Sequence, residues 1–138
     1  VGTVLARFEA KGLAITGMKM MQLSPEILRE HYAHLVDRPF FPSIVASMTA
    51  SPVIVMCLKG VDAIRVVRSM TGDTNGRTAA PGSIRGDFSM SNQENIIHAS
   101  SSVEDAEVEI KRFFSPDELF DYTPDAIRFI NADSELKD

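Results

Sequence analysis

The sequence contains one cysteine, so no internal disulfide is possible. Cys57 sits in the apolar run 53–58, where a core thiol in a reducing compartment is expected rather than a catalytic one. No apolar run approaches the ~20 residues that a membrane-spanning helix requires. A basic excess is also lacking: 14 Lys and Arg against 19 Asp and Glu leave a net charge of -5, which argues against a general nucleic-acid binder. There is no internal repeat and no low-complexity tract. What is present is 138 residues, 44% of them hydrophobic, enough for one domain with a real core. The charged fraction of 24% excludes a disordered chain.

The charge is unevenly spread. Arg65, Arg68, Arg77 and Arg85 face a single acid, Asp73, in the stretch 65–85, whereas eleven acids against four bases follow from Ser102 onward. An arginine island in an acidic chain suits a small anion better than a long polyanion. A solvated surface face is the plainer alternative.

The chain opens without Met, with Val1, Val4, Leu5 and Phe8 already at helical spacing, and Lys11-Gly12 reads as a glycine-capped helix end. A segment before Val1 is therefore expected, and a single domain over 1–138 that is incomplete at its N-terminus. Alternation over 13–23 predicts a strand. Ser24-Pro25-Glu26 starts a helix carrying Ile27, Leu28, Tyr32 and Leu35, interrupted at Arg38-Pro39-Phe40-Phe41-Pro42 and resumed over 43–49. A buried strand over 53–58 and a helix over 61–70 follow. The stretch 71–95 is rich in Gly, Ser, Thr, Asn and Pro and reads as a long functional loop ending at the apolar pair Ile96-Ile97. Ser102 caps an amphipathic helix with Asp105 three residues on, and Pro116 and Pro124 each open a shorter helical piece. Strands alternating with helices suggest α/β or α+β, a small sheet covered by helices.

Three histidines are candidates for chemistry. His31 and His34, with Asp37, stand on a helix without a matching ligand set elsewhere, and a surface helix explains them better than a metal site. His98 follows Ile96-Ile97, and a short strand there would deliver an imidazole beside small residues, leaving room for a substrate. A structural histidine is the alternative. In the next helix, Val103, Ala106, Ile110, Phe113 and Phe114 form an apolar stripe with Glu107 and Glu109 on its borders. A half-buried glutamate there could orient one ring nitrogen of His98 and leave the other as a nucleophile. Helical geometry does not choose between the two glutamates.

Asn95-Ile96-Ile97-His98-Ala99-Ser100 closely resembles the active-site signature of nucleoside diphosphate kinases. The resemblance extends through Arg38-Pro39-Phe40-Phe41, Gly72-Asp73-Thr74-Asn75 and Pro81-Gly82-Ser83-Ile84-Arg85-Gly86-Asp87-Phe88. Downstream, the stretch 107–114 and Asp117-Glu118-Leu119 continue it. Several separated motifs in the right order make this signal specific.

The resemblance implies a ferredoxin-like βαββαβ sandwich and ping-pong transfer of a terminal phosphate between nucleotides. It implies His98 as the nucleophile, Glu109 as the carboxylate holding its ring, and Ser100 as the hydroxyl supporting that glutamate. Arg68, Thr74 and Arg85 match phosphate-binding positions, and Asn95 the residue that meets the ribose hydroxyl. Phe40 matches the aromatic under the base, Ile44 a neighbouring apolar contact, and Tyr32 a tyrosine near the phosphates. Expected partners are nucleoside di- and triphosphates carrying Mg²⁺, not nucleic acid or membrane. A cytoplasmic homo-oligomer is expected, a hexamer before a tetramer, with the tail 122–138 long enough to reach a neighbour. Ala99 and Ser101 depart from the family's usual Gly and Asp, and its phosphate-contacting lysine would lie before Val1. A non-catalytic nucleotide-binding or regulatory member is the alternative that these departures raise.

Overall fold

The computed structural model describes residues 1–136; Lys137 and Asp138, the end of the acidic tail, lie outside the described residues. The chain packs as two compact units, one formed by Val1–Met18 and the chain from Met56 onward, the other by Lys19–Val55.

The first unit begins with α1 (Gly2–Lys11). Gly12 ends it in the left-handed conformation at φ 100, which glycine adopts without a Cβ penalty. The Gly12 N–H donates to the Glu9 carbonyl and the Leu13 N–H to that of Phe8, at 3.0 and 3.1 Å. This pair of bonds is a Schellman cap, whose usual apolar contact joins the residues that stand here as Phe8 and Leu13. Both belong to the core, with Ile84. Met56, Leu58, Val66 and Ile97 pack around that trio. Ile84 is fully buried, a burial that contributes about 1.5–3 kcal/mol.

Strands β1 (Ala14–Met21) and β2 (Val53–Lys59) form a two-stranded antiparallel sheet, close to the limits read from alternation and from the apolar run. With α1 before them and α4 (Ala63–Thr71) after, they make up the inner αββα of the expected βαββαβ order. The C-terminal segment is tied to β1. The Phe120 N–H donates to the Thr16 carbonyl at 2.8 Å, and the Tyr122 hydroxyl to that of Ile15 at 2.7 Å.

Two local expectations are corrected. The stretch 71–95 is not a structureless loop, because Ser83 caps a short helix, α5 (Ile84–Phe88), accepting from the Gly86 N–H at 3.0 Å. Five residues are too few to show a helical period. Ile96-Ile97 is not a strand either. The Ile97 N–H bonds back to the Asn95 carbonyl at 2.8 Å, closing a three-residue turn with Ile96 at φ 74. Among the described residues no strand runs beside it, so the backbone satisfies itself locally.

Helix α6 (Val103–Phe113) starts where expected, the Ser102 hydroxyl accepting from the Asp105 N–H at 3.0 Å. Its apolar stripe is half-buried from Ala106 onward, since Val103 stands at the first helical residue and is 58% exposed. Short 3-10 turns follow at Pro116–Glu118, Asp125–Phe129 and Asp133–Glu135.

In the second unit, the Ser24 hydroxyl caps α2 (Pro25–His31), accepting from the Ile27 N–H at 3.2 Å. The chain then tightens into a 3-10 turn, Ala33–Leu35, before α3 (Phe41–Thr49). Leu28 and Phe41 are buried.

Helix α5 is fastened to α1 by charge as well as by packing. Arg7 Nη2 donates to Asp87 Oδ2 at 2.5 Å and Nη1 to the Gly82 carbonyl at 3.0 Å. The Gly82 N–H donates to Asp87 Oδ1 at 2.8 Å. The Gly82 N–H and the Arg7 guanidinium hold the Asp87 carboxyl below its ordinary value of 3.8. A depressed carboxylate stabilises the fold above its ordinary titration range and loses that contribution as pH falls through the folded-state value. The melting temperature of the wild type should therefore exceed that of Asp87→Asn at neutral pH. The difference should close below pH 3.8 in a thermal-melt series across pH. A difference that persists unchanged into acid would remove the charge from this account.

Candidate active site

The central element is Arg85, set in the first turn of α5 and only 8% exposed. Its Nη1 donates to the Gly72 carbonyl at 2.9 Å and its Nη2 to the Ile97 carbonyl at 2.6 Å. The guanidinium thus ties the turn after α4 to the residue immediately before His98. Both of these bonds end on neutral backbone carbonyls, which fix the direction of the guanidinium. Gly72 must be glycine here: its φ is 82, and a Cβ would stand 2.4 Å from the Ser83 hydroxyl oxygen.

A second tie runs beside the first. Asn95 is 4% exposed, and its Nδ2 donates to the carbonyls of Thr74 and Asn92 at 3.2 and 3.1 Å. Because only the amide nitrogen can donate, these bonds fix which way the side chain points. Its Oδ1 is left buried with no hydrogen-bond partner. Such an acceptor costs about 1–3 kcal/mol until a donor reaches it. Ile96, between Asn95 and Ile97, is held at positive φ, an outlier for a β-branched residue and worth about 1–3 kcal/mol of strain.

His98 follows this fastened turn and is exposed. Two residues on, the Ser100 hydroxyl donates in a short hydrogen bond to Glu109 Oε2. Glu109 is half-buried on α6, whereas Glu107 is exposed. The two glutamates that helical geometry left equal are therefore unlike in their surroundings.

The remaining candidates are less closely bound in. Arg68 lies in the last turn of α4 with its side chain exposed, and Thr74 is exposed while its carbonyl serves Asn95. Tyr32, Phe40 and Ile44 belong to the second unit. Tyr32 is half-buried against the edge of His31, with ring centroids 4.7 Å apart. Phe40 is 47% exposed at the start of α3, and Ile44 is half-buried in its first turn. His34 is exposed, and among the described residues no group of three or more His, Cys, Asp or Glu is arranged to hold a metal. The sequence reading passed over Arg7, whose partners lie 75 and 80 residues away and leave no local signature.

The nucleoside diphosphate kinase family matches residues 1–119. A nucleoside diphosphate kinase of Parabacteroides distasonis is 58% identical over 136 residues, covering 99% of this chain and 89% of that protein. One from Rhodopirellula baltica is 49% identical, covering 98% of this chain and 89% of its own. Among solved structures, a halophilic nucleoside diphosphate kinase from Halobacterium salinarum in complex with CDP superposes with a TM-score of 0.90 at 42% identity, over 95% of this chain and 88% of that one. With its turn before His98 fastened by Arg85 and Asn95, and its α–β–β–α order inside a ferredoxin-like fold, the chain belongs to the nucleoside diphosphate kinase family.

Proposed function

We propose that this chain is a nucleoside diphosphate kinase that moves the terminal phosphate of a nucleoside triphosphate to a nucleoside diphosphate through a phosphohistidine on His98. The observation that carries the reading is an exposed imidazole at the end of a backbone segment that Arg85 and Asn95 hold rigid.

In the first half-reaction an unprotonated ring nitrogen of His98 attacks the γ-phosphorus. The N–P bond forms as the bond from that phosphorus to the β–γ bridging oxygen breaks, and the diphosphate leaves with the electron pair. In the second, a terminal oxygen of another diphosphate attacks the phosphohistidine and the N–P bond breaks. Such transfers depend on in-line positioning and on neutralising charge over the equatorial oxygens. Arg85 and Arg68 supply planar donors for those oxygens and Thr74 a hydroxyl. Glu109, held by Ser100, keeps the His98 ring in the tautomer that leaves the attacking nitrogen free. Mg²⁺ enters as part of the nucleotide substrate, on its phosphates.

Asn95 Oδ1 accepts the ribose hydroxyl, which relieves the buried oxygen of its missing partner. By the family resemblance, Phe40 and Ile44 would serve the base and Tyr32 the phosphates. Stacking reads no base edge, so this scheme has the enzyme tolerate all common bases. The same reading has it act as a homo-oligomer, a hexamer, in the cytoplasm.

Incubation with γ-labelled triphosphate should give an acid-labile, base-stable label on the protein that His98→Ala abolishes and His31→Ala and His34→Ala leave intact. Label surviving in His98→Ala, or none in the wild type, would favour the non-catalytic alternative or another nucleophile.

Glu109→Gln should slow single-turnover phosphorylation while leaving nucleotide affinity largely unchanged, and Glu107→Gln should do neither. Equal losses from the two would mean that the exposed carboxylate had been wrongly set aside.

The buried oxygen of Asn95 predicts discrimination at the sugar. Wild-type kcat/KM should fall ~10–100-fold for nucleotides that lack the ribose hydroxyl, as expected for an acceptor left empty. Asn95→Ala should flatten that ratio, and an unchanged ratio would remove Asn95 from sugar recognition.

A further inference from the structure

Arg85 is carried by a helix of five residues, too short to hold a shape by itself. Its direction is set by what grips the helix. On α5, Ile84, Asp87 and Phe88 fall on one face, and Arg85 points about 100° round from Ile84. The Ile84 face meets α1: Ile84 shares the core with Phe8, while the neighbouring Arg7 takes the polar contacts. Arg7 grips both flanks of α5. Ahead of the helix, the Gly82 carbonyl accepts from Arg7 while its N–H donates to Asp87. At the other end, the Arg7 guanidinium lies 5.0 Å from the centre of the Phe88 ring, in reach of a cation–π contact. Three groups thus close a ring, Arg7 to Asp87 to Gly82 and back to Arg7.

We propose that Arg7 and Asp87 are positioning residues for phosphoryl transfer: their closed ring with Gly82 aims α5 so that Arg85 meets the transferring phosphate while it holds Gly72 and Ile97. The proposal rests on the reading of Arg85 as a phosphate ligand and His98 as the nucleophile. Neither Arg7 nor Asp87 is assigned contact with substrate. The pair is partly exposed, at 31% and 28%, and pairs of that kind add little to folding. Their removal should therefore cost orientation more than stability. A misplacement of about 1 Å in a phosphate-transfer site is enough to cost about 100-fold in rate.

The test is a double-mutant cycle read by single-turnover phosphorylation at saturating triphosphate, with nucleotide affinity measured in parallel. Asp87→Asn keeps an acceptor for the Gly82 N–H and should remain folded by circular dichroism. It should slow phosphorylation ~10-fold while affinity changes less than ~3-fold. In an Arg85→Ala background the same substitution should change the rate less than ~2-fold, because its route of action has been removed. Arg7→Lys, which keeps the charge but not the forked geometry, should fall between wild type and Arg7→Ala. Lys59→Ala, at the exposed Lys59–Asp121 pair, should behave as wild type. Asp87→Asn at the wild-type rate, or the same fold-loss in both backgrounds, overturns the proposal. If His98→Ala still labels, the reading beneath it fails; if His98→Ala is inert and Asp87→Asn is unaffected, only the positioning role does.

Discussion

The bonds from the Arg85 guanidinium to the carbonyls of Gly72 and Ile97 are the interaction on which the rest of the site depends. A buried cation is costly where its donors lack acceptors, and here the two terminal nitrogens find backbone carbonyls. Spending two donors this way makes Arg85 a structural strut between the segments that carry Thr74 and His98. In the proposed reaction the same side chain would also present a positive charge to the transferring phosphate. Electrostatic stabilisation of this kind is effective because the dipoles and charges are already oriented before substrate binds.

The surroundings of Arg85 explain several features that look unrelated. Gly72 is glycine because a side chain there would strike Ser83, which caps the helix carrying Arg85. Ile84 is fully buried because it anchors that helix to Phe8. Ile96 tolerates positive φ because Asn95 on one side and Ile97 on the other are both held by side-chain hydrogen bonds. Strain at a single residue persists where its neighbours over-determine the backbone.

Much of this was legible in the sequence, for identifiable reasons. The Ser24-Pro25 and Ser102 caps, the Gly12 stop and the alternating and apolar strands depend on local chemistry, so their signatures lie within a few residues. The arginine island did contain Arg85, and the motif around His98 carried the family resemblance. Helix α5 escaped because five residues show no period, and Ile96-Ile97 was misread because apolar β-branched residues look like a strand whether or not a neighbour exists to pair with them. The choice between Glu107 and Glu109 needed the resemblance, since a helical wheel places both on a border. The difference in exposure comes from packing and from Ser100. Arg7 left no trace because long-range ion pairs have no sequence period at all.

In the proposed reaction phosphate passes through the protein itself rather than directly between nucleotides. The most direct measurement is to load the protein from labelled triphosphate, strip away all nucleotide, and add unlabelled diphosphate of a different base. The label should leave the protein and appear on the added nucleotide as its terminal phosphate, one for one. Label that stays on the protein, or that is released only as inorganic phosphate, would contradict it.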